Sequence, residues 1–114
     1  MDEQRELDDE RRSNADQRRV ADFVAAHDME TTAEFRLLDL LSELGELAKN
    51  VNESSDYGTN PDDATIEEDE LGDALFCLLA LADSQGYDAS EALDTALEKY
   101  EGRIAEKGEA SSGE

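Results

Sequence analysis

The sequence predicts an all-α protein, an antiparallel bundle of about four helices. Three observations predict it. There is one proline in 114 residues, and the apolar content is mainly Leu and Ala, which with Glu are strong helix formers. Apolar residues recur at helical spacing through most of the chain after Arg18. Three capping-box patterns, Thr31 with Glu34, Thr65 with Glu68 and Asp88 with Glu91, stand at the heads of those stretches.

Taken in order, residues 1–16 are charged or polar, with Leu7 the only sizeable hydrophobe after Met1. They form a charged tail or a helical extension with little to bury. From Arg18, Val20, Phe23, Val24 and His27 mark a short first helix. Thr31 opens a long helix to about Val51, whose apolar positions include Phe35, Leu37, Leu38, Leu41, Leu44, Leu47 and Ala48. Residues 52–64 carry turn chemistry in Ser54, Ser55, Gly58, Asn60 and Pro61. Thr65 opens a helix to about Gln85, and Gly86 is placed as the residue just past its end. Asp88 opens the last helix, through Leu93, Leu97, Tyr100 and Ile104. The expected organisation is thus a helical domain at 17–107, preceded by residues 1–16 and followed by a flexible tail at 108–114.

The formal net charge is −22, with three lysines, Lys49, Lys99 and Lys107. Such a chain repels itself in ordinary buffer. At molar salt the Debye length shrinks to about 3 Å and the repulsion is screened. A halophile's cytoplasm is the setting this composition suggests. The acidity excludes a nucleic-acid binder, which needs a basic footprint, and disfavours anionic membranes. The charged start shows no signal peptide, no apolar run reaches membrane-spanning length, and the single Cys77 forms no internal disulfide. A cytoplasmic protein is expected.

The most informative pattern is a word spelled twice, Glu43-Leu44-Gly45-Glu46 and Glu70-Leu71-Gly72-Asp73. Each copy holds two carboxylates three residues apart, close to one helical turn, so each pair shares a helix face. At ~100° per residue, Glu43 lies at the edge of its helix's apolar arc and Glu46 about 60° further out, with Asp39 and Asn50 between them. Glu70 lies inside the apolar stripe of its helix, near Ala74, Cys77, Leu78 and Leu81, with Asp73 at the margin. A solvated charge run leaves its acids on the polar face; a buried Glu needs a partner or a metal. Two packed helices would bring four carboxylates together, a site for a hard divalent cation. With neither His nor Cys among them, these acids select Mg²⁺ or Mn²⁺.

Mg²⁺ is commonly shared between a few carboxylates and substrate phosphates, so a polyphosphate substrate is implied. Lys99 and Arg103, four apart on the last helix, either contact its phosphates or pair with Glu98, Glu101 or Glu106. Gly45 and Gly72, helix-weakening residues within the acid pairs, mark a close approach of ligand or substrate, or tight helix packing. His27 reads as a surface or interfacial residue, and Cys77 as a small core residue that could line the site.

These residues carry a family likeness. L-S-E-L-G-E-L-A-K, a variable loop, D-E-L-G-D-A-L-F-C-L-L-A-L-A and then E-A-L-D-T-A-L-E-K-Y-E-G-R resemble the MazG-like nucleoside triphosphate pyrophosphohydrolases. The resemblance runs from about Phe35 to Lys107. It implies an all-α fold completed by oligomerisation, as a homodimer or homotetramer. It implies Mg²⁺-dependent hydrolysis of a nucleotide between the α and β phosphates, giving monophosphate and pyrophosphate. Glu43, Glu46, Glu70 and Asp73 would be the metal ligands and catalytic carboxylates, and Lys99 and Arg103 the phosphate contacts. Two departures stand out. Many relatives have a further Glu at the position of Ser42, and many have an aromatic near Cys77 or tryptophans for the base; here Phe23, Phe35 and Phe76 are the available rings. Two alternatives remain open: a phosphoribosyl-ATP pyrophosphohydrolase, or a non-catalytic, metal-stabilised helical module, which Ser42 favours.

Overall fold

A computed structural model describes residues 2–109, with backbone alone for residues 5–14. Met1 and most of the expected C-terminal tail, residues 110–114, lie outside the described residues. The fold is all-helical: α1 (Asp2–Ala26), α2 (Ala33–Ser54), α3 (Glu68–Ser84) and α4 (Ala89–Lys107), with a 3₁₀ turn at Pro61–Asp63 before α3. Among the described residues, no helix is long and apolar enough to cross a membrane.

Of the two readings of residues 1–16, the helical extension is the one the fold takes: with the stretch after Arg18 it makes a single helix of 25 residues that begins at Asp2. Its extra turns carry no Gly or Pro, and Asp2 and Glu3 complement the positive end of the helix dipole. Continuous helix propensity therefore outlasts the apolar stripe.

The head of α2 is shifted by one residue from expectation. Thr32, not Thr31, is the N-cap, and its Oγ1 accepts the Phe35 N–H at 3.4 Å. Hydrogen bonds from the Glu34 N–H and the Thr32 hydroxyl hold the Glu34 carboxyl below its ordinary value of 4.5. The helix continues past Val51 to Ser54, where the Ser54 and Ser55 hydroxyls donate to Asn50 O (2.6 Å) and Val51 O (2.7 Å).

The capping box expected at Thr65 and Glu68 does not form. The N-cap of α3 is Glu67, and it makes no side-chain cap bond. The chain returns beside the last turns of α2, whose side chains take the donors instead. Thr65 N–H donates to Ser54 Oγ at 2.8 Å, and Glu67 N–H to Asn50 Oδ1 at 3.2 Å. The last connection behaves as its sequence dictates. Gly86 takes φ +72° just past α3, and Asp88 Oδ1 accepts from Ser90 N–H (2.8 Å) and Glu91 N–H (3.3 Å).

α2 and α3 form an antiparallel hairpin, the most extensive packing in the fold; α1 lies against α3, and α4 lies against α1 and more lightly against α3. A carboxamide ties the α3–α4 turn to α1: Gln17 Nε2 donates to Tyr87 O and Gln17 Oε1 accepts from Ala89 N–H, both at 2.7 Å.

The core is small. Among the described residues the buried apolar side chains are Ala74, Cys77 and Ala80, all on α3. The large leucines are exposed: Leu41 at 63%, Leu44 at 47% and Leu71 at 56%. The radius of gyration is 17.5 Å, against about 13 Å for a compact chain of this length. Helical geometry sorts the hairpin into two faces. Leu40, Glu43, Leu47 and Val51 on α2, and Glu70, Ala74, Cys77 and Leu81 on α3, are half-buried or buried along the seam. To one side lie Asp39, Glu46 and Asp73; to the other lie Leu37, Leu41 and Leu44 with Leu71, Leu75 and Leu78.

Candidate metal centre

Glu43 on α2 and Glu70 on α3 are both half-buried in the hairpin seam, and exposed Asp73 stands one turn beyond Glu70. One carboxylate oxygen from each of these residues lies within 4.8 Å of the others. The first Glu of the first word and both acids of the second thus converge. Glu46 is exposed and stands outside that group, on the acid side of the seam.

The convergence has an electrostatic signature. Desolvation raises the Glu70 carboxyl above its ordinary value of 4.5, and the charges of Asp69, Glu46, Asp73 and Glu43 add to the rise. Glu46 therefore acts on the site through its field. Cys77, one turn beyond Asp73, is buried as expected; desolvation pushes its thiol up, with Asp39, Glu43 and Asp73 contributing and Arg36 opposing. Crowded carboxylate oxygens, with a half-buried glutamate that resists ionisation, suit a hard cation bound through oxygen.

Lys99 and Arg103 stand on α4. They flank Tyr100 on α4, with Lys99 Nζ 5.7 Å and Arg103 Cζ 5.9 Å from the ring centroid. That helix packs on α1 and α3, and the charges that shift Glu70 are all carboxylates of α2 and α3. His27 is exposed, with its ring 4.3 Å from that of Phe23. Phe23 in turn meets Phe76 edge-on at 5.9 Å, beside an open groove of about 540 Å³ between α1 and α3. The glycines are not explained by tight packing within the chain: a Cβ at Gly45 or Gly72 would meet nothing within 4 Å.

Sequence reasoning passed over Arg36, which is 6% exposed. Its Nη2 donates to Met29 O at 2.8 Å and its Nη1 lies 3.9 Å from Asp39 Oδ2, fastening the turn after α1 to α2. The signal was available in the spacing. Arg36, Glu43 and Asn50 recur every seven residues, two turns apart, on the seam face of α2.

Fold and site together define an all-helical protein with a carboxylate cluster that could hold a metal ion across a helical hairpin. The model of the MazG nucleotide pyrophosphohydrolase domain matches residues 31–106, two-thirds of the chain. The chain belongs to that family, as its twin acidic words suggested. It is also 43% identical over 68 residues to a Bacillus subtilis (strain 168) protein described as "Uncharacterized protein YpjD". That match covers 56% of this chain and 60% of the relative, so the chain spans less than two-thirds of the relative's length. No solved structure matches the chain.

Proposed function

We propose that this protein hydrolyses a nucleoside triphosphate between its α and β phosphates. Water is added across the anhydride: its oxygen joins one of the two phosphorus atoms, the bond from that phosphorus to the bridging oxygen breaks, its proton passes to the medium, and nucleoside monophosphate and pyrophosphate leave. The observation that carries this reading is the convergence of Glu43, Glu70 and Asp73 within 4.8 Å in a MazG domain. These three would hold Mg²⁺, or Mn²⁺, with Glu46 contributing its field. The ion would neutralise phosphoryl oxygens that this acidic chain otherwise repels. Lys99 and Arg103 are the proposed phosphate contacts.

Assembly belongs to the same proposal. Each half-exposed leucine on the face of α2 and α3 stabilises by about 1 kcal/mol when its remaining surface is covered. A second copy of the chain covers that face and α4's exposed stripe of Leu93, Leu97, Tyr100 and Ile104. Pairing there leaves the acids of the two chains turned away from each other. A homodimer results, or a homotetramer if dimers pair again. The setting we propose is a salt-rich cytoplasm.

The deciding assay measures pyrophosphate from a panel of nucleoside triphosphates and phosphoribosyl-ATP at molar salt with Mg²⁺. Pyrophosphate release that disappears in Glu70→Gln supports the proposal. Turnover of phosphoribosyl-ATP alone assigns the related enzyme. Orthophosphate as the sole product overturns cleavage between α and β. Ser42, where many relatives carry Glu, favours a second reading as a metal-stabilised module, which metal binding without turnover on any substrate would support. The proposed setting has its own measurement: the thermal midpoint falls as salt is lowered from molar to low levels, and a constant midpoint removes it.

A further inference from the structure

We infer that Asn50 is a positioning residue for the carboxylate cluster: its carboxamide sets where α3 begins against α2, and so where Glu70 stands opposite Glu43. The inference rests on the metal reading above and adds to it a residue that lies outside the acidic words.

Asn50 shares the seam face of α2 with Glu43, two turns further along the helix, and it is half-buried there. Its Oδ1 accepts the N–H of Glu67, the N-cap of α3, at 3.2 Å. Glu67 makes no side-chain cap bond, and the side-chain bond within the first turn, Asp69 Oδ1 accepting the Glu70 N–H at 3.0 Å, does not fix that turn against α2. One turn further on, Ser54 Oγ accepts the Thr65 N–H at 2.8 Å while donating to Asn50 O at 2.6 Å. The start of α3 is therefore suspended from the last turns of α2 by side chains that belong to α2.

Glu70 follows Glu67 by three residues, less than one helical turn. Nothing flexible intervenes, because Leu71 N–H already bonds Glu67 O at 3.1 Å. A displacement at Glu67 is carried into Glu70 and Asp73 as a movement of the whole first turn. The apolar contacts further along, at Ala74, Cys77 and Ala80, tolerate a small slide of α3. Three ligand oxygens confined within 4.8 Å do not. Asn50 thus acts on the ligands through the register of the two helices, as a partner behind a metal ligand does.

The test uses the full chain at molar salt and reads Mn²⁺ affinity by calorimetry beside the thermal midpoint. Asn50→Ala should weaken Mn²⁺ binding by about 10–100-fold, the usual loss when support behind a ligand is removed. Asn50→Asp keeps the acceptor oxygen and should bind within about threefold of wild type, well inside that range. Gln17→Ala breaks a backbone clamp away from the seam and provides the contrast: a lower midpoint with unchanged Mn²⁺ affinity. Equal affinity in wild type and Asn50→Ala overturns the inference while leaving the metal site standing. A loss of affinity in Gln17→Ala as large as in Asn50→Ala also overturns it, reducing Asn50 to general stability. Wild type that binds no Mn²⁺ overturns both the metal reading and this one.

Discussion

The two faces of the α2–α3 hairpin are built from the same two helices and need opposite things. On one side Asp39, Glu46 and Asp73 flank the seam that holds Glu43 and Glu70. On the other, Leu37, Leu41, Leu44, Leu71, Leu75 and Leu78 are all exposed, by 47% to 63%. The acid face is short of positive charge and the leucine face is short of apolar cover. In the proposed reading, ions answer the first need and a second copy of the chain answers the second. The difference teaches that the metal binding and the assembly proposed above are separable, because they would draw on opposite sides of one seam.

The largest effect is expected from charging the leucine face. Leu41→Asp with Leu44→Asp should raise the dissociation constant of the assembly by more than about 100-fold, as loss of central apolar anchors does. Sedimentation would then show protomers, and circular dichroism a loss of helix. An unchanged sedimentation coefficient would remove that face from the interface.

Next comes Glu70→Gln, aimed at the other face. Mn²⁺ affinity should fall by more than about 100-fold, beyond the loss typical of partners behind a ligand. The metal-free thermal midpoint should rise, because the crowded, partly desolvated charge is gone. A fall in both quantities would show that Glu70 is needed for packing rather than for cation binding.

A pH titration sharpens the same point. The Glu70 carboxyl is raised above 4.5, so the native protein keeps its proton to higher pH than the unfolded chain does. The stabilisation this provides is present below the unfolded value and is lost as pH rises through the raised native one. Proton and cation compete for the same oxygens. Mn²⁺ affinity should therefore weaken as pH falls from about 7 toward about 5, while the metal-free midpoint holds or rises through this group. Glu34 has the opposite sign: its lowered carboxyl stabilises above 4.5 and the gain is lost as pH falls through its depressed native value. Calorimetry across that range, with melting curves carried on below 4.5, checks both signs.

The smallest effect concerns the glycines. Gly45→Ala and Gly72→Ala should each stabilise the protein by about 1 kcal/mol through helix propensity alone, since the added Cβ meets nothing within 4 Å. Lost turnover in a stabilised variant would assign the open space to a ligand. Unchanged turnover would leave both glycines without a role at the site.

Much of this was legible in the sequence, and what was not has identifiable causes. Asp88, Gly86 and the leucine periodicity are local signals, and local physics decided them. Glu70 was recognisable because one acid stood in an apolar stripe. Thr65 failed as a cap because a distant side chain, Asn50, took the Glu67 N–H nearby, and no local pattern records such a bond. The head of α1 stayed open between a tail and a helical extension because charged residues with good helix propensity can propagate a helix that buries little. Arg36 was missed because a cation seven residues before Glu43 looks like surface charge until the turn after α1 closes over it.

The smallness of the core has a last consequence. With Ala74, Cys77 and Ala80 as the buried apolar side chains among the described residues, a single chain holds little stability of its own. If its leucines are covered only by another copy, dilution is itself a denaturant: the melting temperature rises with protein concentration, and a newly made chain completes its folding only on meeting a second one.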